Sequence, residues 1–285
     1  MNALRIRPAT ALDLPTVAEW LARPVALPTD AQESLWVVEV TEGEVTDGAA
    51  SGGEAPAGNA PHGKTAPANS AHVLRAALRL VPAIGLTLPR VSYHVGCTVH
   101  AAAELGLHHR QRTLLLGHDH TGASELADIG WARQDVPLAE QAGALHALVT
   151  AALQHLGRQR QHFASRLIAE LPGPRDAAGQ SPFWQGLGRH FYRQDPAAAL
   201  AVHGLAWRSH VASLLPRHLL VTSFLTLAAE AAIAQVSADA LLLREVLEDA
   251  GLRYSHHVNV EDGGPILEAA VDDLPAVRSA QQQPR

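Results

Sequence analysis

The sequence predicts a mixed α/β (α+β) fold. Three observations carry that expectation: a strand–helix–strand opening over residues 4–40, a long amphipathic helical pattern at 141–163, and strand-like runs on both sides of it. Leu4 and Ile6 alternate with Arg5 and Arg7 in the first strand. Asp13 stands where it can cap a helix with Pro15 in its first turn, and Leu14, Val17, Ala18 and Leu21 share one face. Residues 35–40 form the second strand. Residues 43–70 are Gly, Ala, Pro, Ser and Asn with hardly any large apolar side chain. Such a tract cannot offset its ordering entropy by burial, so it reads as a disordered insertion within one domain over 1–285. Strands resume at 72–81, 91–99 and 113–116. In the long helix Leu145, Leu148, Val149, Ala152 and Leu156 are spaced for one buried face. A strand at 165–171 and a short helix at 181–192 follow. Ser237 is placed to cap a late helix carrying Leu243, Val246, Leu247 and Ala250, which Gly251 ends. Residues 257–260 read as the last strand, before an Asp262-Gly-Gly-Pro265 turn.

Composition excludes several classes. With 47% hydrophobic and 18% charged residues in 285, the chain has material for a core, which rules out chain-wide disorder. A net charge of −6 argues against a broad nucleic-acid or acidic-membrane surface. Aromatics are too few, at 4%, for stacking platforms. Cys97 is the only cysteine, so no intrachain disulfide exists, and an inert thiol is its simpler role than a nucleophile. The first eight residues lack a signal-peptide apolar core, and the apolar run 219–229 is too short to span a bilayer. The expectation is a soluble cytoplasmic protein with neither nucleic acid nor membrane as partner.

Among seventeen histidines, His118-Asp119-His120 puts two imidazoles on one side of an extended segment, just after His108 and His109. Without a His-Glu-x-x-His pattern or a cysteine cluster, separately satisfied histidines are the simpler reading, and no metal is expected. Gly-x-Gly-x-x-Gly and Gly-Lys-Ser/Thr phosphate cradles are absent. Gly143 lies near the start of the long helix, where a helix N-terminus can take an anion; a small packing residue is the alternative. Asp119 and Glu125 bracket a Thr-Gly turn and can meet a cationic substrate, or can be solvated carboxylates of a capped turn.

Val99-His-Ala101, Asp119-His-Thr-Gly-Ala-Ser-Glu-Leu126, Ser181-Pro-Phe-Trp-Gln-Gly-Leu-Gly-Arg-His-Phe191, Leu215-Pro-Arg-His218 and Asp262-Gly-Gly-Pro-Ile-Leu-Glu268 together resemble the arginine N-succinyltransferase family. The resemblance implies an acyl-CoA N-acyltransferase-like mixed, mostly antiparallel sheet flanked by helices. It also implies transfer of a succinyl group from succinyl-CoA to the α-amine of L-arginine in arginine catabolism, with L-ornithine as a second acceptor. By the same resemblance, Asp119 and Glu125 orient the substrate, while Ile129 and Gly143 line the path of the succinyl-CoA co-substrate.

Departures from the family shape the expectations about catalysis. Ser237 stands where the family has a proton-donating histidine, after Ala232-Ile-Ala-Gln-Val236. A serine hydroxyl is a poor general acid at neutral pH, so His100 or His218 has to supply the proton if the chain is active. Glu140-Gln-Ala-Gly143 replaces an arginine and a Gly-Asn-Gly cradle. Residues 127–128 and 130–133, around Ile129, do not read as the apolar strand the family has there. Since some members work as two similar chains, a catalytically silent partner or regulatory subunit is the alternative to an active enzyme.

Overall fold

The computed structural model describes residues 4–41, 72–204 and 206–282; the tract 43–70 lies outside the described residues. Along the chain run β1 (Leu4–Pro8), α1 (Leu14–Leu21), β2 (Ser34–Thr41), β3 (His72–Val81), β4 (Ser92–Ala102), β5 (Leu107–Gly117), β6 (Ser124–Trp131), α2 (Leu138–Arg158) and β7 (Arg166–Glu170). They are followed by α3 (Pro182–Gly186), α4 (Pro196–His203), α5 (Ala206–Ala212), β8 (Leu220–Val221), α6 (Leu227–Ala232), α7 (Leu241–Asp249), β9 (Arg253–Val258), β10 (Pro265–Ala270) and α8 (Pro275–Gln282).

The ten strands form one sheet in the order β1-β2-β3-β6-β7-β10-β9-β4-β5-β8. All neighbours are antiparallel except β6 and β7, the pair that α2 connects. The long β4–β5 hairpin leaves the chain between β3 and β6 but joins the sheet beside β9, extending its far edge. The expected mixed, mostly antiparallel α+β architecture is therefore present. Among the described residues no helix is long and apolar enough to cross a membrane.

Period-3.6 burial places α2 on the sheet: Leu145, Leu148, Val149, Ala152, Leu153 and Leu156 pack with Leu78, Leu80, Leu126, Leu167, Ala169 and Leu267. Leu243, Val246 and Leu247 of α7 and Val277 of α8 complete this core. Gly157 permits the α2–α8 approach, because a Cβ there would stand 2.8 Å from the Val277 carbonyl oxygen. On the other face, Val17 of α1 meets Val37 and Ala77, which alternate with Val38, Ala76 and Leu78 along β2 and β3. A second large core, built on Phe183, Trp184, Trp207 and Val211, closes over Tyr93, Leu114 and Val258. Trp184 anchors α3, whose N-cap Ser181 accepts the Trp184 N–H at 3.0 Å. Ser181→Ala is expected to lower the unfolding free energy by about 1 kcal/mol, read from urea titration, as loss of an N-cap does.

Several elements differ from the sequence expectation. The helix expected to reach residue 163 ends at Arg158, and a 3₁₀ turn takes over at Arg160–His162, where Arg160 donates to the carbonyls of Phe163 and Ala164. Asp13 precedes α1 but does not cap it; its carboxylate takes the Arg7 guanidinium and the Thr10 N–H at 2.7 Å. Ser237 starts the 3₁₀ turn Ala238–Ala240 without a side-chain cap bond. The last strand was expected at 257–260, whereas β9 occupies Arg253–Val258 and β10 follows it. Pro265–Ala270 is hidden between two neighbours, so it reads as a short apolar run without diagnostic alternation. The segment around Ile129 is the strand β6 after all: two residues there oppose Leu78 alone, with Asp128 at φ +48°, and this bulge breaks the alternation.

Candidate active site

β6 and β7 pair at Ser124↔Leu167 and Glu125↔Ile168 only. Beyond Glu125, β6 stays with β3 and β7 stays with β10, so the parallel pair opens toward its carboxyl ends. In open α/β sheets a crevice at the carboxyl ends of parallel strands is where ligands bind. The bulge in β6 is pinned from the opposite face: the Asp128 carboxylate receives the guanidinium groups of Arg23 and Arg79, the latter at 2.6 Å.

The crevice has two walls. On the β6 side Ile129 packs, half-buried, on the main core. Trp131 donates its indole N–H to Gln141 Oε1 at 3.0 Å, and Gln141 Nε2 donates to the Val136 carbonyl at 2.8 Å. These bonds hold the turn between β6 and α2, while the Arg133 guanidinium lies 4.0 Å over the Trp131 ring. α2 starts after Pro137 with no side chain capping it; Glu140 occupies its first turn, and the exposed Gly143 faces open space. On the β7 side the Ser237 N–H donates to the Pro172 carbonyl at 2.9 Å, which sets this half-buried serine just past the end of the strand. Burial lowers the Arg133 pKa while the negative charge of Asp239 opposes that shift, which ties the two walls together electrostatically. Ile129 on β6, Gly143 near the start of α2 and Ser237 beside Pro172 thus all lie past the point where β6 and β7 part.

Other sequence-selected residues lie elsewhere. His100 is exposed in the outer part of the β4–β5 hairpin opposite His109, and His218 is exposed before β8. From β7 it is three inter-strand steps to β4, which carries His100, and five to β8, which follows His218, each step roughly 4.8 Å. Glu125 is 5% exposed, and the guanidinium it meets is the chain's own: Arg90 donates to Glu125 at 2.7 Å and to Glu170 at 3.0 Å. Burial raises the Glu125 pKa, with Arg90 opposing and Glu170 adding to the rise. For Glu170 burial is outweighed by Arg90 and Arg208, and its pKa falls. Arg208 also pairs with Glu261.

Asp119 accepts from His257 Nε2 at 3.0 Å, and His257 Nδ1 lies 2.8 Å from the Ser255 carbonyl. The His257 ring stands edge-on to His120, centroids 4.5 Å apart. His120 is 2% exposed, with Nδ1 3.3 Å from Ser92 Oγ and Nε2 3.4 Å from Glu268. Burial lowers its pKa, and His257 lowers it further, so the imidazole is held neutral. His118 instead bonds the Arg90 carbonyl at 3.1 Å. Among the described residues no group of three or more His, Cys, Asp or Glu has metal-holding geometry.

Arg90, Glu170, Arg208, His257 and Glu268 were not singled out as site residues. The local signals are Glu170, a charge closing the otherwise apolar run Leu167-Ile-Ala169, and Glu268, the last residue of a family motif.

The family model described as arginine N-succinyltransferase beta subunit matches residues 70–276. The chain belongs to this family. Arginine N-succinyltransferases of Salmonella arizonae and Salmonella paratyphi B are each 36% identical over 203 residues, covering 70% of this chain and 57% of theirs. The present arginine N-succinyltransferase family member thus spans little more than half the length of the curated relatives it matches. A solved structure, the arginine/ornithine succinyltransferase subunit AI of Pseudomonas aeruginosa, superposes with a TM-score of 0.69 at 21% identity, covering 98% of this chain and 80% of that one. The succinyltransferase fold is thus shared while most side chains differ.

Proposed function

We propose that the chain is an acyl-CoA-dependent N-acyltransferase moving a succinyl group from succinyl-CoA to the α-amine of L-arginine, with L-ornithine as a second acceptor. The opening between β6 and β7 carries this reading. Among the described residues the β6 edge facing β7 has no strand partner past Glu125, and backbone N–H groups on such an edge suit a thioester carbonyl as it becomes an oxyanion. The uncapped N-terminus of α2, with Arg133 beside it, suits the CoA phosphates, and Ile129 and Gly143 line the way between. Glu140 works against this fit by placing a carboxylate in the same turn.

In the transfer the acceptor ammonium gives up a proton, the amine attacks the thioester carbon, and the departing thiolate takes a proton. Ser237 stands by the end of β7, where the proton would be given, but as a weak acid. Asp119 and Glu125, the substrate-orienting carboxylates of this reading, are already bonded to His257 and Arg90, so a cationic acceptor would compete with those partners. We read residues 1–285 as one domain with 43–70 inserted, acting in cytoplasmic arginine catabolism. Ser237 and Glu140 together favour a second reading, a catalytically silent partner of a homologous subunit.

The test is thiol release from succinyl-CoA by the purified chain with L-arginine or L-ornithine. Turnover above the acceptor-free blank is expected. A flat trace from folded protein overturns the enzymatic reading, and co-purification with a competent homologue then supports the partner reading.

A further inference from the structure

Two parts of the sheet meet at a narrow joint. Among the described residues β4 pairs with β9 only at Tyr93↔Val258 and His94↔His257, and no other strand pair links β4, β5 and β8 to the strands that form the crevice. The segment 118–123, between β5 and β6, crosses this joint as a turn: the Thr121 N–H donates to the His118 carbonyl at 2.9 Å, and the Ala123 N–H to the His120 carbonyl at 3.0 Å. Side chains fasten it on both sides. Toward β4, His118 bonds the Arg90 carbonyl at 3.1 Å and His120 lies 3.3 Å from Ser92 Oγ. Toward β9 and β7, the Asp119 carboxylate accepts from His257, and its main-chain carbonyl takes the Arg166 guanidinium. Three imidazoles gather there, the His257 ring standing edge-on to His120 and to His94 with centroids 4.5 and 5.1 Å away.

These contacts respond differently to an added proton. A protonated imidazole donates from both nitrogens, and those of His118 and His257 that bond the segment or its neighbours face carbonyls or a carboxylate, so their bonds survive. His120 is different. It is buried, and its Nε2 has no hydrogen-bond partner among the described residues, although the Glu268 carboxylate lies 3.4 Å away. It is faced by His257 from β9, by Glu268 from β10, and by Arg166 and Glu170 from β7, while β4 offers the Ser92 hydroxyl. Burial and the His257 charge oppose a proton on His120, as does Arg166; Glu268 and Glu170 favour it but are outweighed, so the pKa lies below the ordinary imidazole value.

We propose that the segment 118–123 is a pH-sensitive strap, which neutral His120 keeps fastened over the β4–β9 joint and which protonation of His120 releases in weak acid. In the released strap the imidazole reaches water and takes up a proton below about pH 6.5, whereas in the fastened strap it does so only at lower pH. The fastening is therefore fully present above the ordinary imidazole pKa and is lost progressively as the pH falls below it. The segment runs directly into Ser124 and Glu125, the two β6 residues paired with β7, so release reaches the crevice. The strap is independent of the acyl-transfer reading.

Hydrogen exchange of the whole chain, followed by mass spectrometry at pH 7.5 and 5.5 and corrected for intrinsic rates, tests this directly. Peptides covering 118–123 and 91–95 are expected to exchange about tenfold faster at pH 5.5, one unit below the ordinary imidazole pKa, while those covering β2 and β3 keep their rates. His120→Gln, which stays neutral, should hold the strap within about twofold between the two pH values. If that variant does not fold, His257→Gln should shrink the acid response, because it removes the charge facing His120. Equal rates at both pH values overturn the proposal, as does acceleration that includes β2 and β3 equally. So does a full acid response in folded His120→Gln or, failing that protein, in His257→Gln.

Discussion

Replacing Arg90 by methionine is expected to destabilise the fold by about 3 kcal/mol at pH 7, read as a lower urea midpoint with an unchanged slope. Methionine keeps much of the side-chain volume but leaves the carboxylates of Glu125 and Glu170, 7% and 15% exposed as side chains, without their shared cation. Removing one partner of a buried pair costs more than the pair itself contributes, because the remaining charge stays desolvated. The lower end of the usual range applies here, since the Arg90 side chain is 19% exposed and Arg208 still stands 3.7 Å from Glu170.

The deficit should shrink between pH 7 and pH 5. Burial already holds the Glu125 pKa above its ordinary value, and losing Arg90 pushes it further up and removes the largest influence that holds the Glu170 pKa down. The folded variant then takes up protons in a range where the unfolded chain, with ordinary carboxyl pKa values, does not, so acidification stabilises it relative to pH 7. A deficit of equal size at both pH values would show that packing, not charge, is what Arg90 supplies.

Ser237→His is expected to raise the rate of succinyl transfer by about a hundredfold, the lower end of what general acid–base catalysis contributes. Ser237 makes no cap bond to the turn it begins, so the exchange removes no such interaction. Its main chain is held by the Pro172 carbonyl, which keeps the new imidazole by the end of β7. The comparison needs Ser237→Ala, which should change the rate by less than about threefold if the hydroxyl is as poor an acid as its chemistry implies. A folded Ser237→His protein no faster than the original would show that the leaving thiolate meets its proton elsewhere. His100 and His218 are then the next substitutions, although the sheet separates both from this position.

How much of the site was legible in the sequence differs from residue to residue. Ile129 and Ser237 are marked by the family resemblance and Gly143 by its place near the start of the long helix, and all three lie past the point where β6 and β7 part. Strand β6 around Ile129 was not legible, because the bulge at Asp128 disrupts the period-2 pattern. Glu125 was found as a carboxylate, but its guanidinium partner lies 35 residues away, in a loop no pattern marks. Parts of β4 and β5 show as separate strands at 91–99 and 113–116, while nothing local says that they form one long hairpin or that it crosses to the far edge of the sheet.

By itself the sequence determined which faces are buried, where most helices and strands run and which family the motifs belong to. Side-chain periodicity and turn chemistry are local, so they survive in a linear reading. Only the tertiary structure decided that β6 and β7 part after two residue pairs and that Arg90 bridges Glu125 and Glu170. Strand order and ion pairing depend on which distant segments the whole core brings together, and no short stretch of sequence carries that information.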